Sequence, residues 1–278
     1  GKVLGVETRH QRTNPNELIT VIESFSYDHM DRLVSHSQSI NGQQDETIVE
    51  NSYDKMGQLI SKGVGGRSNA MSRLQDVNYD YNIRGWLTDI NKDGLAQNDL
   101  FSFSLKYNDP TQGVALYNGN ISQTQWVTAS DAVERNYNYS YDALNRIIDA
   151  NYFGGNLTRD GAPGLDGVTE NYSMGDVVYD KNGNITKLSR SGLYKSDFNN
   201  SQYSAVDKVD VLVYTYAPKS NQLMDVKDLA DNVEENIMNG GFHDTYNERN
   251  KYEYLDLNGN MTMDRNKGID IITYNNLK

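Results

Sequence analysis

One seven-residue pattern recurs along this chain and constrains its fold more than any bulk property. An aromatic residue is followed by Asp or Asn, two variable residues, a turn former, a polar residue and an aliphatic one. The pattern reads Tyr27-Asp28-His29-Met30-Asp31-Arg32-Leu33, then Tyr53-Asp54-Lys55-Met56-Gly57-Gln58-Leu59. It returns as Tyr81-Asn82-Ile83-Arg84-Gly85-Trp86-Leu87, Tyr141-Asp142-Ala143-Leu144-Asn145-Arg146-Ile147 and Tyr179-Asp180-Lys181-Asn182-Gly183-Asn184-Ile185. Altered copies stand at Tyr117-Asn118-Gly119-Asn120-Ile121, from Tyr216 to Leu223, and at Asp256-Leu257-Asn258-Gly259-Asn260-Met261. In the last, either Leu255 is inserted after Tyr254 or it replaces the aromatic.

Each copy reads as strand, turn, strand. Asp or Asn after the aromatic can accept hydrogen bonds from backbone N–H groups ahead of it and so open a turn. Gly, Asn or Asp three residues later tolerates positive φ. The approach to each turn alternates, as in Glu23-Ser24-Phe25-Ser26-Tyr27 and Asn136-Tyr137-Asn138-Tyr139-Ser140-Tyr141, which places the rings on one face. The aromatics from Tyr27 to Tyr216 are spaced by 26, 28, 36, 24, 38 and 37 residues. A single strand–turn–strand unit needs only about 20 residues, so the longer steps imply extra strands or loops. Loops are expected at 91–99, 156–166, 196–204 and 228–250, with a short helix over 228–237.

Composition agrees with an all-β chain rich in turns: 20 Tyr, 23 Gly and only 4 Pro. The absence of Cys excludes disulfides, thiolate catalysis and zinc–cysteine sites. A net charge of −12 argues against nucleic-acid binding, and no apolar run approaches the ~18 residues of a membrane span. The opening Gly1-Lys2-Val3-Leu4-Gly5 is not a signal peptide.

These units resemble the YD-repeat, or Rhs-repeat, family of large bacterial surface and secreted proteins, whose motif is Tyr-Asp-x-x-Gly-Arg-Leu and its variants. The resemblance runs from about Phe25 to Tyr274. The stretches Tyr81 to Thr88, Asn98-Asp99-Leu100-Phe101, and Asn266-Lys267-Gly268-Ile269 with Ile272-Thr273-Tyr274-Asn275 look like its Bacteroidetes-type branch. The resemblance implies a long curled antiparallel sheet that builds a partial shell, with lead-in strands over 1–24 and one continuous repeat domain over 25–278. It also implies a fragment of a longer chain, placed outside the cell or on the bacterial surface. The expected partners are other repeats of the parent chain, with a C-terminal toxin cargo or a surface glycan. Unpaired sheet edges would invite an edge-to-edge dimer. The family's self-cleaving core has no counterpart here. A β-propeller is the alternative fold, since steps of 36–38 residues approach the ~40–45-residue blade period.

The turn residues Tyr27, Asp28, Tyr53, Asp54, Gly57, Tyr81, Asn82, Gly85, Tyr141, Asp142, Tyr179, Asp180, Gly183, Asp256 and Gly259 are the positions to watch. They read first as structure, and second as a ladder of rings and carboxylates for sugar binding. Asp89, Asn91 and Asp93, followed by Gly94, match the first half of a calcium loop. Leu100 stands where the twelfth-position Glu is expected, and Asp99 is the substitute. No other cofactor is indicated. His10, His29, His36 and His243 are scattered, and neither a His-Glu-x-x-His motif nor a nucleophile elbow is present. Gly63-Val64-Gly65-Gly66-Arg67 lacks a phosphate-loop ending, and Trp86 and Trp126 read as core wedges. The chain is therefore expected to be a non-enzymatic scaffold. A carbohydrate-binding or adhesion module is the alternative, and a glycoside hydrolase a more distant one.

Overall fold

The computed structural model describes residues 1–13, 18–67, 73–154, 170–197, 200–230, 240–242 and 251–275. It is all-β, with no α-helix among the described residues. The chain divides into two compact units.

The first unit comprises Gly1–Lys106 and Thr124–Glu134. It contains β1 (Gly5–His10), β2 (Ile19–Tyr27), β3 (Leu33–Ile40), β4 (Glu46–Tyr53) and β5 (Leu59–Val64). These are followed by β6 (Gln75–Tyr81), β7 (Leu87–Ile90) and β8 (Phe101–Lys106), and by most of β9 (Gln123–Thr128). The second unit comprises Tyr107–Gln123 and Arg135–Lys278. Its strands are β10 (Arg135–Tyr141), β11 (Ile147–Phe153), β12 (Met174–Tyr179), β13 (Ile185–Asp197), β14 (Asn200–Tyr216) and β15 (Leu223–Asp228). Two short strands follow, β16 (Tyr252–Glu253) and β17 (Met263–Asp264).

Strands β1 to β15 hydrogen-bond in chain order, and the first and last are not neighbours. This is an antiparallel meander that does not close into a barrel. The β-propeller alternative fails, because the sheet runs on from strand to strand without being broken into four-stranded blades. The loop expected at 196–204 is also corrected. Strands β13 and β14 pair from Lys187↔Val213 as far as Asp197↔Asn200, so polar residues there extend a long hairpin. The loop at 156–166 and the helix from residue 231 onward lie outside the described residues.

Alternation sorts the side chains. In the first unit the register lines up Phe25, His36, Val49 and Val64 across four strands. The Phe25 and His36 rings stack at 4.5 Å. The opposite face carries Ser24, Ser26, Ser35 and Ser37, with Ser26 Oγ and Ser35 Oγ 2.7 Å apart. Few of the described residues are fully buried. Among the described residues the second unit has a compact cluster, Leu212, Val226 and Tyr252, against which Tyr214, Leu223, Phe242, Tyr254 and Met261 pack.

The repeated turn as candidate functional site

The five full copies of the motif build the same hairpin turn. The aromatic ends one strand opposite the aliphatic that begins the next: Tyr27↔Leu33, Tyr53↔Leu59, Tyr81↔Leu87, Tyr141↔Ile147 and Tyr179↔Ile185. A register shift sits beside each aromatic. Between them the chain makes a β-turn followed by one left-handed residue, a common way to close a three-residue hairpin loop. The left-handed residue is Asp31 (φ 68°), Gly57 (91°), Gly85 (78°), Asn145 (61°) or Gly183 (88°).

The second residue organises the loop. Asp28 Oδ1 accepts from Met30 N (2.8 Å) and Arg32 N (2.9 Å). Asp54, Asn82, Asp142 and Asp180 accept from the corresponding two N–H groups at 2.8–3.1 Å. One oxygen thus replaces a pair of missing backbone acceptors, which is why Asp and Asn are interchangeable here. The second carboxylate oxygen takes the sixth residue: Arg32 Nε at 2.7 Å, Arg146 Nε at 2.7 Å and Asn184 Nδ2 at 2.9 Å. These bonds hold three carboxyls below the ordinary carboxylate range. For Asp28 the Arg32 backbone N–H contributes most, for Asp142 the Arg146 side chain, and for Asp180 the Asn184 side chain.

The aromatic links one turn to the one before it. The Tyr53 hydroxyl donates to Leu33 O (2.9 Å), Tyr81 to Leu59 O (2.9 Å) and Tyr179 to Ile147 O (2.7 Å). Tyr216 donates to Ile185 O and Tyr141 to Ile121 O, both at 2.8 Å. In each case the acceptor is the aliphatic residue that completes the preceding copy. Neighbouring loops also touch. The Arg32 guanidinium lies 4.5 Å from the Tyr53 ring centre and Arg146 4.2 Å from that of Tyr179. Gln58 Nε2 reaches Gly85 O at 3.3 Å, and the Asn182 and Asn184 amides converge on Asn221 Oδ1.

The altered copies show which parts matter. From Tyr216 to Leu223 the loop is one residue longer, and Ser220 Oγ supplies the side-chain bond to Gln222 N. Near the C-terminus Tyr254 packs on the apolar cluster and accepts from Leu223 N (3.1 Å), whereas Leu255 is 79% exposed. Leu255 is therefore the insertion and Tyr254 the aromatic of that copy. Asp256 Oδ1 again accepts from the residue two ahead, Asn258 N, at 3.0 Å, and Gly259 is left-handed. Tyr117 is the exception, 74% exposed.

Three of the four residues of the expected calcium loop, Asn91, Asp93 and Asp99, line one cleft, and Asp89 is not among its lining residues. Asp89 is buried and accepts from Ser104 Oγ at 2.6 Å. Asn91 is buried in a left-handed conformation, its Oδ1 taken by Asn78 N (2.8 Å) and its Nδ2 given to Phe101 O (2.9 Å). It bridges β6 to the start of β8. Asp93 and Asp99 line a cleft of about 480 Å³ together with Asp76, Asp80 and Arg73. Calcium takes six to eight oxygens, and among the described residues no three or more His, Asp or Glu side chains are grouped to hold a metal ion.

A cluster without a sequence motif stands in the second unit. Arg135 holds Glu170 through two bonds (2.8 and 2.9 Å), and the Tyr152 hydroxyl donates to the same carboxylate at 2.5 Å. Tyr137 donates to Tyr172 O (2.9 Å), and the Tyr152 ring meets Tyr137 and Tyr172 edge-on. Burial first, and Glu170 second, push the Tyr152 phenol far above its ordinary value. Its chemistry is that of a clamp fastening residues 170–173 to β10 and β11. Arg135 and Glu170 are 35 residues apart and belong to no short motif, so no spacing pointed to them.

No family model matches the chain, and no curated protein sequence does. Among solved structures it is similar to one described as the crystal structure of TcdB2-TccC3-Cdc42, at 16% identity and a TM-score of 0.49. The match covers 94% of this chain and 14% of that one.

Proposed function

We propose that the chain is a non-enzymatic scaffold segment of a bacterial extracellular or cell-surface protein of YD-repeat type, forming wall around cargo carried by the same polypeptide. One observation carries this reading. The motif residues that could have recognised a ligand are spent on the chain itself, Asp and Asn on their own turns and Tyr hydroxyls on the preceding turn. Rings of the first and fourth joints are further covered by Arg32 and Arg146. A sugar-binding ladder needs free rings and free carboxylates. The serial joints instead suit a sheet that grows by adding identical units. Among the described residues no helix is long and apolar enough to cross a membrane.

The test uses the folded chain. A glycan array and a panel of chromogenic glycosides are expected to stay at background, while the chain withstands protease. Alanine at Asp28, Asp54, Asp142 and Asp180 together should abolish that resistance. Saturable glycan binding, glycoside turnover, or resistance unchanged by the four substitutions would overturn the reading.

A further inference from the structure

The chain has 20 tyrosines and no cysteine, so no disulfide ties its strands together. Four of the phenols form a row in the second unit. Ring centres lie 6.0 Å apart between Tyr139 and Tyr137, 5.1 Å between Tyr137 and Tyr152, and 5.3 Å between Tyr152 and Tyr172. Edge-on rings at such separations meet through their carbons. The row reaches from the interior to the surface: Tyr152 is 7% exposed and Tyr172 42%. An oxidant in solution therefore meets it most openly at Tyr172, and that exposed ring has room to turn.

Tyr152 is placed to lose an electron and a proton together. Its hydroxyl donates to Glu170 Oε2, and Arg135 fixes that carboxylate through Nε and Nη2. Burial and the neighbouring carboxylate keep the phenol protonated at neutral pH. Removing an electron reverses the balance, because a phenol that has lost an electron is a strong acid. Its proton then needs an acceptor within hydrogen-bond reach, and Glu170 already stands there. The two rings also flank a short ladder. Among the described residues β11 and β12 pair at Ala150↔Met174 alone, with Tyr152 N donating to Ser173 Oγ at 3.0 Å beside it.

We propose that Tyr152 and Tyr172 form an oxidative cross-linking site, at which a one-electron oxidant joins the two rings as dityrosine. Each ring gives one electron to the oxidant. Tyr152 gives its phenolic proton to Glu170, which passes it to solvent, and Tyr172 gives its own to water. The two phenoxyl radicals form one carbon–carbon bond between ortho positions. Loss of the two ortho hydrogens as protons, with reprotonation of the oxygens, restores both phenols. The chain ends two hydrogen atoms lighter, and the oxidant has taken up two electrons. The link fastens β11 to the segment leading into β12, as a disulfide would in a chain with cysteine. The site needs neither cargo nor repeats, so it stands or falls apart from the scaffold reading.

The experiment exposes the folded chain to photoexcited tris(bipyridine)ruthenium(II) with persulfate, a one-electron oxidant. Dityrosine fluorescence follows the rate, and peptide mapping by mass spectrometry identifies the partners. Expected is a monomeric product, two hydrogens lighter, that joins the peptides holding Tyr152 and Tyr172. Glu170→Gln keeps a carbonyl acceptor but takes no proton, and should slow the link about a hundredfold, the lower end of what a positioned base contributes. If that variant fails to fold, Tyr172→Phe decides. It removes an exposed phenol, leaves the bond from Tyr137 to the residue 172 carbonyl, and should abolish the link while keeping the melting temperature. Tyr117→Phe, at an exposed ring outside the row, should leave rate and product unchanged. Links scattered over other tyrosines, oxidation at Trp86 or Trp126 without a link, or links formed as fast in the Glu170 and Tyr172 variants would overturn the assignment.

Discussion

Asp142 shows how much one side chain organises. Its Oδ1 serves Leu144 N and Arg146 N, and its Oδ2 the Arg146 guanidinium. Asn82 performs the first task without the second, accepting from Arg84 N and Trp86 N. Asp142→Asn should therefore keep the turn and lose only the ion pair, whereas Asp142→Ala loses both. Thermal melts are expected to rank wild type, Asn, Ala in falling order; an Asn variant as unstable as Ala would refute the division of labour. The sign of the pH dependence follows from the same bonds. The folded-state values of Asp28, Asp142 and Asp180 lie below the ordinary aspartate value of 3.8. Their contribution is therefore fully present above that value and is lost as pH falls through the lower, folded one. Acid unfolding should set in below about pH 3.8, and Asp142→Asn should soften it.

At the scale of the element, the joint between turns makes its own predictions. Tyr81→Phe removes one hydroxyl bond to Leu59 O and should cost about 1 kcal/mol, the usual net worth of a hydrogen bond. Tyr117→Phe alters an exposed ring and should leave the denaturation midpoint unchanged. Equal effects would mean that the hydroxyl link is incidental. Burial is the largest cause that raises Tyr81, Tyr141 and Tyr216 above 10.0. A raised folded value gives stability that is complete below pH 10 and is lost as pH rises through the folded value. Phenolate absorbance should therefore emerge for these rings late, together with unfolding. Sequence alone showed the turn, because its chemistry lies within seven consecutive residues. It did not show the link to the turn before, since the acceptor is a backbone carbonyl 20 to 32 residues away. The sixth residue was equally silent: Arg32, Gln58 and Asn184 differ in type, and each finds its own way to the next loop.

Over the whole molecule, alternation and turn chemistry make the all-β antiparallel fold legible in the sequence. The long β13–β14 hairpin is not, because its polar residues read as a loop while the backbone ladder of a sheet needs no apolar side chain. The residues expected as a calcium loop also carry bonds within the chain that the sequence did not show. Asp, Asn and Gly suit both an ion and a tight backbone crossing, and Asn91 binds Asn78 N and Phe101 O. Stability is expected to build serially, joint by joint, as in repeat architectures. Native-state amide exchange of Tyr179→Phe tests it most directly. Faster exchange is expected only at the turn from Asp180 to Ile185 and at the strand start at Ile147, with the joints at Tyr27 and Tyr53 unchanged. Uniformly faster exchange over the whole chain, or none at all, would contradict it.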